Sequence, residues 1–486
     1  MMAAVQKLLP IVAALMVLAG CADVPRPPTP PHPPIAPLAW SDDAPAVQVE
    51  VLNRVTWGAS RTGFAEIQRT GTGAYLAGQL QPGADARLPA AIQARIDAMT
   101  ISQRPMAELA AELGERRRDF QRLPPEERKP AQQAYQQELT RLGREAQVRM
   151  VLRALYSPRQ LEEEMTWFWM NHFSVFQFKA NVRALVADYE ERAIRPHALG
   201  RFGDLLAASA RHPAMLVYLD NARNAAGHIN ENYARELMEL HTLGVDGGYT
   251  QRDVQELARV LTGFSVAVPG GAPYRFYPRR HDYGDKQLLG RTIRGRGEVE
   301  LDEALALLAG HPSTARFVSR KLAMHFVADD PPAALVERMA QRFLATDGDI
   351  AETLATMFAS DEFRASLGGK FKDPVHYVVS ALRLALDAEP IPDARPVLGA
   401  IGLLGEPLYA RATPDGYPLT RAAWASPGQL ATRFDVARGI GYRVPYRLWQ
   451  QGVPNLGPAT LKALAGASSA QEWNLLLLAS PEFMQR

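Results

Sequence analysis

Cysteine is nearly absent. Cys21 is the single cysteine among 486 residues, so the chain has no internal disulfide and no thiol catalyst within its body. Charge of one sign is lacking as well. Lys and Arg number 54 against 52 Asp and Glu, and the two signs are interspersed, which excludes the electrostatic footprint of a nucleic-acid binder. Beyond the first twenty residues no apolar run approaches the roughly 20 residues that a membrane-spanning helix needs. Familiar catalytic signatures are missing too: there is no His-Glu-x-x-His pair for zinc, no Gly-x-Ser-x-Gly elbow and no phosphate-cradling glycine loop. Runs of β-branched residues are scarce, which argues against a body built on sheets.

What is present begins at the N-terminus. A short apolar run over residues 8–19 follows Lys7 and ends in Leu18-Ala19-Gly20-Cys21. That is the size of a secretory signal's apolar core, with the small residues of a bacterial lipobox before the cysteine. Residues 1–20 read as a lipoprotein signal peptide and Cys21 as a lipidated new N-terminus, holding the protein to a membrane. Ala22 stands where an aspartate would retain a lipoprotein on an inner membrane. The expected address is therefore the periplasmic face of an outer membrane. Residues 21–45 form the lipidated cysteine and a Pro-rich tether. Eight of the thirteen residues 25–37 are proline, which favours an extended polyproline II spacer.

From residue 48 to 486 the hydrophobic fraction, 47% for the whole chain, is ample for a packed core. Apolar residues recur near a 3.6-residue period over 60–265 and 300–385, predicting a mainly α, multi-helix body. Residues 104–156 predict a helical hairpin, projecting from the body or packing along it: Met106, Leu109, Leu113 and Phe120 form one stripe, Pro124-Pro125 break the helix, and Tyr135, Leu139, Leu142 and Ala146 form the returning stripe. The alternation at Tyr274-Arg-Phe-Tyr277, with turn residues at His281-Asp282 and Gly284, predicts a small β-hairpin insertion over 272–295. Thr250 and Asp253 fit a capping box, and Gly244 a left-handed stop for the preceding helix.

Two helices carry the candidate chemistry. In Glu162-Glu-Glu-Met-Thr-Trp-Phe-Trp-Met-Asn-His-Phe173, Glu164, Phe168 and Asn171 share a face with His172 at its edge. Trp167 and Trp169 read first as core. In Asn230-Glu-Asn-Tyr-Ala-Arg-Glu-Leu-Met-Glu-Leu-His-Thr-Leu-Gly244, Asn232, Arg235, Glu236 and Glu239 lie within about 100° of arc. His241 points to the other side of a regular helix and reads as a hydrogen-bonded core histidine rather than a partner of Glu239. Glu236 and Glu239 could form a carboxylate pair; the plainer alternative is a solvated face with an Arg235–Glu239 ion pair. His172, Glu236, Glu239, His281 and Asp282 form a candidate ligand set for a divalent metal, provided they converge in space.

At these residues the chain resembles a bacterial family catalogued as domain of unknown function number eighteen hundred. The carrying motifs are the 230–244 segment followed by Asp246-Gly-Gly-Tyr-Thr-Gln251, Trp169-x-Asn-His-Phe173, His281-Asp282 with Lys286 and Gly290, His311-Pro-Ser-Thr-Ala-Arg-Phe317 and Ser480-Pro-Glu-Phe483. The opening Leu52-Asn-Arg-Val-Thr-Trp-Gly58 agrees as well. The resemblance implies one helical, exported family domain over 48–486, often encoded beside a second exported protein that is a candidate partner. It brings forward Trp169 and His172, and Asn232, Arg235, Glu236, Glu239 and His241, but supplies no reaction. Two functions stay open. One is a non-catalytic envelope assembly or scaffold component. The other is a metal- or carboxylate-dependent hydrolase acting on an envelope polymer or exported small molecule. In that second case Glu236, Glu239 and His172 are catalytic, Arg235 orients an anionic group, and Asn232, Trp169 and His241 serve in binding.

Overall fold

The computed structural model describes residues 34–40, 43–81, 87–267 and 273–486. The expected signal peptide, Cys21 and the expected tether up to residue 33 lie outside the described residues. From Pro34 onward helices dominate: 24 α-helices and two two-stranded sheets occur among the described residues. The body is mainly α with small β-hairpin insertions. One continuous apolar core runs from Val49 to Met484, so the helices from both ends of the chain share a single interior.

The hairpin follows its sequence pattern. A helix Met106–Arg122 and a longer one, Pro125–Tyr156, are separated at Leu123 and Pro124. Proline lacks an N–H and fits the first turn, so the doublet ends one helix and starts the next. At the base, Leu109, Leu113, Tyr135, Leu139 and Leu142 make a satellite core closed by Ala184 of the helix Val182–Asp188. The apolar stripe is thus consumed by the body, while residues near the tip, such as Glu126 to Arg128, are exposed. The C-terminal part of the long helix, with Met150, Val151, Leu152 and Leu155 buried, enters the main core.

The β region differs from the single hairpin expected over 272–295. Tyr274–Phe276 pairs backward with Phe264–Val266, and a separate pair joins Lys286–Leu288 to Arg291–Ile293. The alternating Tyr274–Phe276 is a strand, but Phe264–Val266 is buried throughout, so no alternation marked it as the partner. The second pair turns at Leu289 and Gly290, both with positive φ, which suits a tight hairpin.

The capping box forms as expected: Thr250 Oγ1 accepts from the Asp253 N–H, and Asp253 accepts from the Thr250 N–H at 2.9 Å. Gly244 has φ +82, and a Cβ there would meet the Phe317 ring at 2.9 Å. The motif helix is shorter than its sequence suggested, Asn232–Glu239. Beyond it the backbone widens, with the His241 N–H donating to Glu236 O and the Leu243 N–H to Met238 O.

Candidate functional site

The acidic pair sits on the motif helix. Glu236 and Glu239 are both half-buried. Burial, then the neighbouring Glu239 charge, raises the Glu236 carboxyl above its ordinary value, and Asp415 adds to the effect. Arg235 does not pair with Glu239. Its guanidinium bonds Glu231 at 3.1 Å and Gln251 at 2.9 Å, because Glu231, one turn earlier, lies on the same side. Asn232 donates to Leu219 O at 3.1 Å and so ties the helix start to the preceding segment. Facing this helix is the 411–417 loop. Asn171 clamps it, donating to Tyr417 O at 2.9 Å and accepting from the Tyr417 N–H at 2.6 Å. Gly416 there has φ +75, and a Cβ would lie 2.2 Å from Asn171 O, so only glycine permits the approach.

The histidines of the two motifs are interior. His172 Nε2 lies 3.0 Å from His241 O and donates to it, and the two rings are 6.1 Å apart. His172 Nδ1 and both ring nitrogens of His241 have no hydrogen-bond partner among the described residues. His241 is therefore a core histidine, but not a hydrogen-bonded one. Burial, with the Lys321 charge nearby, holds both rings neutral, His241 down to about 3. Burial likewise lowers the Lys321 amine to about 8. Trp169 is fully buried and donates to Ala198 O at 2.9 Å; its role is packing, which sets aside the binding role.

The five-residue metal set does not converge. His281 is bonded to Thr262 O at 2.8 Å and to Glu300 at 3.1 Å, and Glu300 also takes Lys286 at 2.5 Å. Asp282 forms a two-pronged pair with Arg259 at 2.8 and 3.2 Å. These bonds fasten the β region to the helices Gln251–Val260, through Arg259, and Val299–Ala309, through Glu300. Their separation from Glu236 and Glu239 follows from that docking, which linear spacing could not reveal.

A different group converges, and sequence reasoning missed most of it. Among the described residues, Glu164, His325 and His376 are the His and carboxylate group whose ligand atoms come together, all within 4.8 Å of one another. Glu164 Oε1 is 3.1 Å from His325 Nε2, 3.0 Å from His376 Nε2 and 2.5 Å from Arg486 Nη1. Asp373 caps the helix Pro374–Leu386 through the His376 N–H at 2.9 Å and also meets His376 Nδ1 at 2.6 Å. Trp57 lies against the His376 ring with centroids 4.4 Å apart. Arg54 reaches Phe326 O and Arg486 O, both at 2.6 Å. Burial alone would push the Glu164 carboxyl up, yet Arg486 and the two imidazoles hold it down at about 2. Burial, then the Arg486 charge, lowers His325 to about 4, so it donates to Glu164 as a neutral ring. A pocket of about 400 Å³ reaches this cluster at Arg486.

Two imidazoles and a carboxylate suit zinc or iron by donor type. Here their focus is already taken by a cation. The Arg486 guanidinium touches Glu164 Oε1, lies 3.0 Å from His376 Nε2 and 3.4 Å from His325 Nε2. Metal bonds near 2 Å would require Arg486 to leave. The cluster joins residues 54, 164, 325, 376 and 486, drawn from five distant segments. Lone histidines and arginines at such separations leave no local signature; the one available hint was Asp373-Pro374 three residues before His376, a cap signal.

No curated protein and no solved structure matches the chain. The family described as Protein of unknown function (DUF1800) matches residues 50–485, nearly the whole described body, and the chain belongs to that family.

Proposed function

We propose that this protein is a lipid-anchored, non-catalytic envelope component whose helical body serves as a scaffold on the periplasmic face of an outer membrane. The signal-like residues 1–20 with Cys21 support the address. The observation that carries the scaffold role is the buried ion cluster: Arg486 occupies its convergent polar centre, and the cluster ties five segments together. A neighbour-encoded exported protein is the partner this reading expects. The address is tested by fractionating cells and measuring the mass of the N-terminal peptide. Diacylated Cys21 in the outer membrane is the expected result; an unmodified thiol on a soluble chain refutes the anchor.

A carboxylate-dependent hydrolase is favoured by one observation, the raised Glu236 carboxyl beside Glu239. Glu236, whose carboxyl is raised by burial and by the Glu239 charge, would serve as the acid, with Glu239 beside it as the base. Turnover of an envelope polymer that disappears in Glu236→Gln, with folding intact, would replace the scaffold reading. A stoichiometric metal lost in the same variant would do so too.

A further inference from the structure

The helix Pro427–Gly441 leaves one side unpartnered. Leu430, Phe434 and Arg438 follow at four-residue intervals, and Tyr442 continues the row at the C-cap; together they span about 120° of arc. Phe434 is 44% and Tyr442 55% exposed. Leu403 is 74% exposed and stands beside the helix start, where Gln429 donates to Leu404 O at 3.0 Å. Over 421–447 the chain carries five arginines and one aspartate; Arg433 is fully buried, while Arg421, Arg438, Arg443 and Arg447 are exposed, Arg438 pairing with Asp435 at 2.8 Å. Exposed apolar and aromatic rings interleaved with arginines are the pattern of a surface that sits in a lipid interface, rings at headgroup depth and guanidinium groups on phosphates.

We infer that this face docks on an anionic phospholipid leaflet, the one to which Cys21 is tethered in the function proposed above, on which the choice of leaflet rests. Two observations choose lipid as the occupant. The charge is complementary to an anionic surface. The twelve residues 22–33, at their full extension of about 40 Å, keep the body within reach of the leaflet. One acyl anchor plus a basic apolar patch is also the two-signal arrangement that makes membrane attachment stable.

The test uses the mature chain from Ala22 to Arg486, so that neither a lipid nor the apolar residues 8–19 assist binding, sedimented with phosphatidylcholine vesicles with or without phosphatidylglycerol. The expected result is binding to the anionic vesicles alone, weakened by salt and reduced about tenfold or more by Arg438→Glu with Arg443→Glu. A second variant, Phe434→Ser with Tyr442→Ser, should lose binding to a similar degree; both pairs are exposed, and an unchanged melting curve checks the fold. No binding, equal binding to neutral vesicles, or binding indifferent to both variants overturns the inference, the last two pointing to an apolar protein partner or another surface. Failure here leaves the Cys21 fractionation result untouched, and an unlipidated Cys21 in cells leaves the vesicle result untouched, so the two readings fail separately.

Discussion

Glu164→Gln is the most informative perturbation of the interior. The carboxylate is fully buried and its Oε1 receives two imidazoles and a guanidinium. Glutamine keeps the volume and one acceptor oxygen but removes the charge that balances Arg486, with Arg54 adjoining. Stripping one partner from a buried ion pair costs about 3–5 kcal/mol, a large share of the roughly 5–15 kcal/mol that holds a native fold. At about 2.1 cal/mol/K per residue, a body of this length unfolds with an entropy near ~1 kcal/mol/K, so Tm should fall by about 3–5 °C. Calorimetry or dye-monitored melting of the chain from Ala22 to Arg486 reads the shift. The charge argument has a second arm. Replacing Glu164 and Arg486 together by methionine removes both charges, and such exchanges are commonly neutral or stabilising. The double variant should therefore melt above the Glu164→Gln single. A single variant melting with the parent, or a double variant falling well below it, refutes the account of the cluster as a charge-balanced staple.

Acid should unfold the protein early. His172, His241 and His325 are buried and neutral, with pKa values held far below the ordinary 6.5, to about 3 for His241 and about 4 for His325. Below 6.5 the unfolded chain binds protons that the folded one refuses, so stability is full above that pH and is lost down to about 4. The slope is about 1.4 kcal/mol per pH unit for each ring, or about 4 for three; denaturant midpoints at neutral and mildly acidic pH measure it. Glu236→Gln should leave Tm unchanged or raise it at neutral pH, because the folded state raises that carboxyl and its charge is therefore unfavourable there; a marked drop in a melting scan would reveal a bond that Glu236 makes as an anion. Asn171→Ala should destabilise by about 1–3 kcal/mol through the freed Tyr417 backbone groups, and proteolysis should then cut first in the 411–417 loop; an unaltered digestion pattern argues against the clamp. Leu139→Ala, emptying the satellite core under the hairpin, should cost about 2–5 kcal/mol and raise hydrogen exchange in Met106–Arg122 before the main body; uniform exchange would show that the hairpin is not held by that core.

The chain's local grammar was legible in the sequence. The Pro124-Pro125 break, the Thr250/Asp253 capping box and the two hairpin stripes all depend on residues within a few positions of one another. Their energetics are set by helix period, φ restriction and nearby N–H groups, which a sequence displays directly. Tertiary structure decided everything that required distant segments to meet. It parted His281 and Asp282 from Glu236, gave Arg235 to Glu231, and buried His172 and His241 back to back. It also assembled Glu164, His325, His376 and Arg486 from residues up to 322 positions apart. Helix spacing fixes which face a side chain occupies; only the docking of helices in three dimensions fixes what that face meets, and a buried charge declares itself when its partners arrive from elsewhere in the chain.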